Sequence, residues 1–149
     1  MGFKRRVWIY LAVVVLAVGA LVLSETVFNQ TSEECVPVRE LLEFNQAQAK
    51  EIEELEETSG TDAGVIEYQE WADGLAQRAG KVTDPELVSS AIRVAQLASQ
   101  FATKLPQLRA ETGEGAATGQ KTPPIVYEMY LVNAQITEEI NKLLQACPD

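Results

Sequence analysis

Two cysteines, Cys35 and Cys147, bracket a region that reads as helical throughout, and they constrain the fold more than any other feature of the chain. A disulfide holds its two Cα atoms within about 7 Å. Pairing therefore requires the start of the first helix and the end of the last to meet. An even number of antiparallel helices in up-down order brings those two ends to one pole without further contrivance.

The hydrophobic periodicity supplies four such helices. Val38, Leu41, Asn45, Gln48, Ile52 and Leu55 recur at three- and four-residue spacing, with Leu42, Phe44 and Ala49 beside them. Two polar members soften that stripe. Glu51, Glu53, Glu54, Glu56 and Glu57 crowd its end, where acids oppose the helix dipole. Gly60-Thr61-Asp62 then reads as a turn with a fresh N-cap. The second helix carries Val65, Tyr68, Trp71 or Ala72, Leu75 and Ala79, with Gly80 as its stop.

Thr83-Asp84-Pro85-Glu86 combines a capping box with proline in the first turn. The third helix follows with Leu87, Ala91, Val94, Ala98, Phe101 and Leu105. Gln107 to Thr122 is rich in Gly, Thr and Ala without periodicity and reads as a loop. Thr122 is positioned to cap a fourth helix opened by Pro123 and Pro124. Its stripe of Ile125, Met129, Val132, Ile136, Ile140 and Leu143 is the strongest of the four and runs to Cys147 and Pro148. No β-alternation of any length interrupts this pattern. The expected fold is all-α: an up-down-up-down four-helix bundle over residues 35–149, closed by a Cys35–Cys147 disulfide. Helix start and helix end are where those cysteines fall. The spacing is not Cys-x-x-Cys, and two thiolates without histidine make only half a zinc site, so a structural bridge is the expectation.

A second feature fixes a location. Lys4, Arg5 and Arg6 precede eighteen uncharged residues, Val7 to Ser24. As a helix this run is about 27 Å long, close to the hydrocarbon thickness of a bilayer. Basic residues before the run and Glu25 after it place residues 1–6 in the cytoplasm and the C-terminal domain outside, at the plasma membrane. Residues 25–34 then form a tether, in which Asn29-Gln30-Thr31 matches a glycosylation sequon close to the bilayer. The alternative is a cleaved secretory signal, with Val18-Gly19-Ala20 as the cut and a secreted product. The run is longer than a usual signal core, and Trp8 and Tyr10 sit at its cytoplasmic edge as interfacial aromatics do, which favours a retained anchor.

Composition excludes much chemistry. The chain has no histidine, which removes the commonest general base and the commonest metal ligand. Its net charge is −10; residues 1–30 hold three basic groups and one acid, so the other 119 carry −12. Such a domain is repelled by nucleic acid and by anionic lipid. The glutamate cluster lacks the Asp-rich spacing of a calcium loop, and a di-iron bundle requires histidines. Gly113-Glu114-Gly115 with Gly119 has no strand before it and an acid within it, unlike a phosphate loop. Neither a nucleophile elbow nor a Ser-x-x-Lys pattern is present. The expectation is no enzyme, no metal and no cofactor; catalysis by carboxylates alone would need two acids facing each other in a cleft.

Tyr68, Trp71, Phe101, Tyr127 and Tyr130 all fall within two or three turns of the pole away from the membrane. They are the candidate partner- or ligand-binding residues; the bland alternative is that bulky rings fill a splayed bundle end. The layout resembles bacterial envelope sensor domains of the chemoreceptor type in architecture. Those carry a second membrane helix and a cytoplasmic output module, and this sequence shows neither. The expected function is an accessory or scaffolding subunit of a membrane complex, binding another envelope protein; the runner-up is a module for a small apolar or lipidic ligand.

Overall fold

The structure is a computed structural model describing residues 33–59, 64–113 and 122–148. A 3-10 turn, Glu33–Cys35, leads into α1 (Val36–Ser59), followed by α2 (Val65–Ala79), α3 (Pro85–Thr112) and α4 (Pro124–Ala146). There is no strand among the described residues. The apolar run 7–24, the tether through Ser32 with its sequon, the Asp62 cap and the glycines at 115 and 119 lie outside the described residues. None of the described helices is long and apolar enough to cross a membrane.

Contacts between side chains give the up-down order. Glu40 of α1 pairs with Lys81 just after α2 at 2.9 Å, while Asn45 of α1 meets Trp71 further up α2. Tyr68 of α2 meets Phe101 of α3, and Lys104 of α3 pairs with Glu128 of α4 at 2.6 Å. The Cys35–Cys147 disulfide closes the circuit with its Cα atoms 5.5 Å apart. Beside it, the Arg39 guanidinium donates to the Pro148 carbonyl. The expected bundle and its bridge are therefore both present.

The helices are not equivalent in their packing. Backbones approach most closely between α3 and α4 and between α2 and α3, whereas α1 lies mainly on α2 and approaches α3 and α4 only locally. Side-chain volume explains this. Ala91, Ala95, Ala98 and Ala102 are all buried on α3, and a methyl group lets a neighbouring helix come close. On α1 the buried positions are Val38, Leu41 and Ile52, with the polar Asn45 and Gln48 half-buried between them. On α4, Ile125, Met129, Val132, Ile136, Ile140 and Leu143 are all buried, and Asn133 is a buried polar residue beside them.

Five local expectations need correction. Helix α3 does not end near Leu105 but runs through Pro106 to Thr112, with Gly113 as C-cap. Pro106 is on the exposed face, where it forfeits one backbone bond, while Leu105 and Leu108 continue the buried stripe on either side of it. The N-cap of α3 is Asp84 rather than Thr83: the Asp84 carboxylate accepts from the Glu86 and Leu87 amides at 2.8 and 3.0 Å. Pro85 at the first helical position forces the residue before it into extended backbone, which is the N-cap conformation. At α4, Pro123 is the N-cap and no side chain caps the helix, so Thr122 does not do so.

Gly80 ends α2 in right-handed backbone, φ −65°, and the stop is made by bonds from Lys81 and Val82 amides to the Arg78 and Ala79 carbonyls rather than by a left-handed glycine. Finally, Leu55 is exposed although it lies on the α1 stripe. Helix α1 has 24 residues against 15 in α2, so α2 cannot cover its last turns.

Candidate functional site

The five aromatic residues singled out above separate into two groups. Tyr68 and Trp71 project from α2 and Phe101 from α3, and their rings form one cluster. Trp71 stands edge-on to Tyr68 and to Phe101 at centroid distances of 6.3 and 6.1 Å, and Tyr68 and Phe101 are tilted at 5.6 Å. These are favourable aromatic geometries. Trp71 and Phe101 are only 6% and 7% exposed. The indole is donor-only, and Nε1 donates to Asn45 Oδ1 of α1 at 2.9 Å. One polar residue in the α1 stripe thereby satisfies the one polar atom of the buried ring. Because α3 continues to Thr112, Phe101 sits about three turns inside the helix rather than at its tip. This cluster is a joint between α1, α2 and α3.

Tyr127 and Tyr130 stand apart from it. They are 62% and 57% exposed on the first two turns of α4. Leu131, one turn after Tyr127, is 59% exposed and belongs with them, a residue that sequence reading passed over. The signal for it was available: 127, 130 and 131 follow the i, i+3, i+4 rule for one helix face, and all three fall off the Ile125–Met129–Val132–Ile136 period. The core-facing stripe of α4 thus has a short apolar counterpart on its outer side. Val36, Leu55, Ile66 and Ile92 are also exposed, but each stands on its own stretch of chain.

An ion pair borders that outer stripe. On the α3 side, Lys104 is ion-paired to Glu128, the residue after Tyr127. In α1, residues 51–57 include five glutamates, with Lys50 3.8 Å from Glu54. Antiparallel order puts the end of α1 and the start of α4 at the same pole, opposite the disulfide. Towards the disulfide end of α4, Glu138 and Glu139 share Lys142 at 2.9 Å each. The hydrogen bond from Lys142 holds the Glu139 carboxyl below its ordinary value, helped by Ser90 and by the charge of Arg93, while partial burial opposes the shift. Hydrogen bonds to Glu139 and Glu138 in turn raise Lys142.

Cys35 and Cys147 are buried in the bridge, which leaves no free thiol. Among the described residues no group of three His, Cys, Asp or Glu side chains is arranged to hold a metal ion. Comparison with protein-family models, with curated proteins and with solved structures finds no match for this chain.

Proposed function

We propose that the chain is a single-pass envelope protein whose helical domain binds another protein as an accessory or scaffolding subunit of a membrane complex. The observation that carries this reading is the outward stripe Tyr127–Tyr130–Leu131, three large side chains each more than half exposed on adjacent turns of one helix. Exposed aromatics of this kind contribute strongly to protein interfaces, and contiguous apolar patches mark interaction sites. The other three rings are used internally, against one another and Asn45. That favours a protein-binding surface over the runner-up, a small apolar ligand held among the rings.

Membrane attachment rests on Lys4, Arg5 and Arg6 followed by the uncharged run 7–24. With that anchor, the disulfide pole faces the bilayer, and the α4 stripe stands roughly 30 Å out by helix length.

Site-specific photo-crosslinking in intact cells tests the reading. Benzoylphenylalanine at position 130 is expected to give a discrete adduct with one envelope protein, and the same probe at exposed Gln96 on α3 is expected to give none. Absence of any adduct at 130, or the same adducts from both positions, would count against protein binding through this face.

A further inference from the structure

Helix α1 is held firmly at one end and loosely at the other, and its loose half covers a polar side chain that nothing satisfies. We infer that the seam between α1 and α4 is a gate: residues 46–59 of α1 swing off α4 about the closed disulfide end, and Asn133 sets how readily they do so. The inference is independent of what docks on the outer face of α4.

Asn133 supplies the first observation. It is 4% exposed, and its Nδ2 has no hydrogen-bond acceptor. Helix phase shows which neighbour covers it. Glu128 and Glu139 of α4 face α3, through Lys104 and Ser90. Asn133 stands roughly 130° around the helix from that line, at about 100° per residue, on the flank of the apolar stripe away from α3. The other helix that α4 approaches is α1. Asn133 is as far along α4 from Cys147 as Ala49 is along α1 from Cys35, and alanine has no polar group to offer. The α1 amides nearest that level are engaged elsewhere: Asn45 accepts from Trp71, and Gln48 donates to Glu51. A buried amide without a partner opposes closure of the seam that buries it.

The second observation is where α1 is tied. Its bonds to the C-terminal segment, the disulfide and the Arg39–Pro148 hydrogen bond, lie at its first turn. Phe44 and Asn45 then hold it on α2 through Arg78 and Trp71. Beyond them Ile52 is the last buried residue, and residues 53–58 are exposed or half-buried. Helices α3 and α4, by contrast, keep buried residues to the same pole, at Leu108 and Ile125. Few buried contacts and one fixed end are the marks of a segment that opens without global unfolding. The open form exposes Asn133 together with Val126 and Thr137, half-buried on the same flank, and leaves the α3–α4 pair intact.

The test uses the full chain in mild non-ionic detergent, with the native bridge intact and spin labels on cysteines introduced at exposed positions. For Glu57→Cys with Ala134→Cys, double electron–electron resonance is expected to show two distances, the longer from the open form. For Glu43→Cys with Asn141→Cys, nearer the bridge, one distance is expected. Asn133→Leu removes the unpaired amide and should lower the longer-distance fraction about tenfold, a population shift toward the closed form. Asn133→Val serves the same comparison where leucine overpacks and lowers the melting temperature. A single distance for the distal pair, or a fraction unchanged by both Asn133 substitutions, overturns the inference. So does a broad spread of distances between labels at Ala47→Cys and Glu54→Cys, which would mean that this half of α1 melts rather than swings.

Discussion

Gly74 of α2 lies against the edge of the Phe44 ring of α1, in space that any side chain at position 74 would need. A Cβ built there would overlap Cζ, Cε1 and Cε2 of Phe44. The face of the same ring is covered by the Arg78 guanidinium, 3.7 Å from its centroid, and Arg78 Nη1 donates to the Gly74 carbonyl at 3.0 Å. A glycine in mid-helix costs about 1 kcal/mol relative to alanine. Its presence here is explained by the ring.

Gly74→Ala is therefore expected to destabilise the domain despite its better helix propensity. Overpacking against a held ring costs about 1–3 kcal/mol, more than the propensity gain of about 1. Phe44→Leu in the same chain removes the overlap, so the double variant should be more stable than the sum of the single effects. Urea unfolding of the four members of this cycle measures the coupling; strictly additive effects would show that position 74 does not meet the ring.

The Trp71–Asn45 bond yields a second expectation. Asn45→Ala leaves a buried indole N–H without its acceptor, a loss of about 1–3 kcal/mol. Trp71→Phe in that background removes the orphaned donor and should recover part of the loss. Thermal unfolding followed by near-ultraviolet circular dichroism reads both. No difference between Asn45→Ala and the parent would show that the bond contributes nothing.

How much was legible in the sequence depended on which helix is considered. All six stripe residues of α4 are buried as its period indicates, because each is a large aliphatic and none competes with a local signal. Helix α1 gave a correct start, but its length relative to α2 decides the fate of Leu55, and that is a tertiary relationship. The end of α3 was hidden for a different reason: the Gly, Thr and Ala content of 107–122 reads as loop from its start, although Leu108 continues the period of Leu105 and the outward-facing Pro106 removes only one backbone bond. The rings at the candidate site look alike as residue types. What separates them is the phase of the helix they stand on, with Trp71 and Phe101 on the apolar stripe and Tyr127 and Tyr130 off it.

The continuity of α3 through Pro106 has its own test. Pro106→Ala restores an amide donor for the Ala102 carbonyl at an exposed position, and interior prolines cost up to about 3 kcal/mol. The variant is expected to be more stable by about 1–3 kcal/mol. In a loop the same change would be neutral or mildly destabilising, since proline restricts the unfolded chain. Denaturant midpoints separate the two outcomes by sign.

Acid stability should depend on Glu139. Its carboxyl is held below the ordinary value of 4.5, chiefly by the Lys142 hydrogen bond. A group whose folded value is depressed contributes stability that is fully present above the unfolded value and is lost as pH falls through the folded one. The parent should therefore lose stability as pH drops below about 4.5, and Glu139→Gln should show a flatter profile over that window with the two curves converging at the acid end. Melting temperatures between neutral pH and strong acid measure this. Parallel curves would remove Glu139 from the acid response.

The disulfide should matter most where packing is thinnest. Cys35 and Cys147 are separated by 112 positions, and closing a loop of that size stabilises by about 4–5 kcal/mol in the chain-entropy model. Helix α1 approaches α3 and α4 only locally, and its buried stripe is interrupted by Asn45 and Gln48. With the bridge removed, as in Cys35→Ser with Cys147→Ser, the loss should be concentrated there. Hydrogen exchange is expected to accelerate first across α1, while the alanine-packed pair α3 and α4 stays protected. Uniform acceleration over all four helices would instead mean that the bundle opens as one unit and that α1 is held as firmly as the rest.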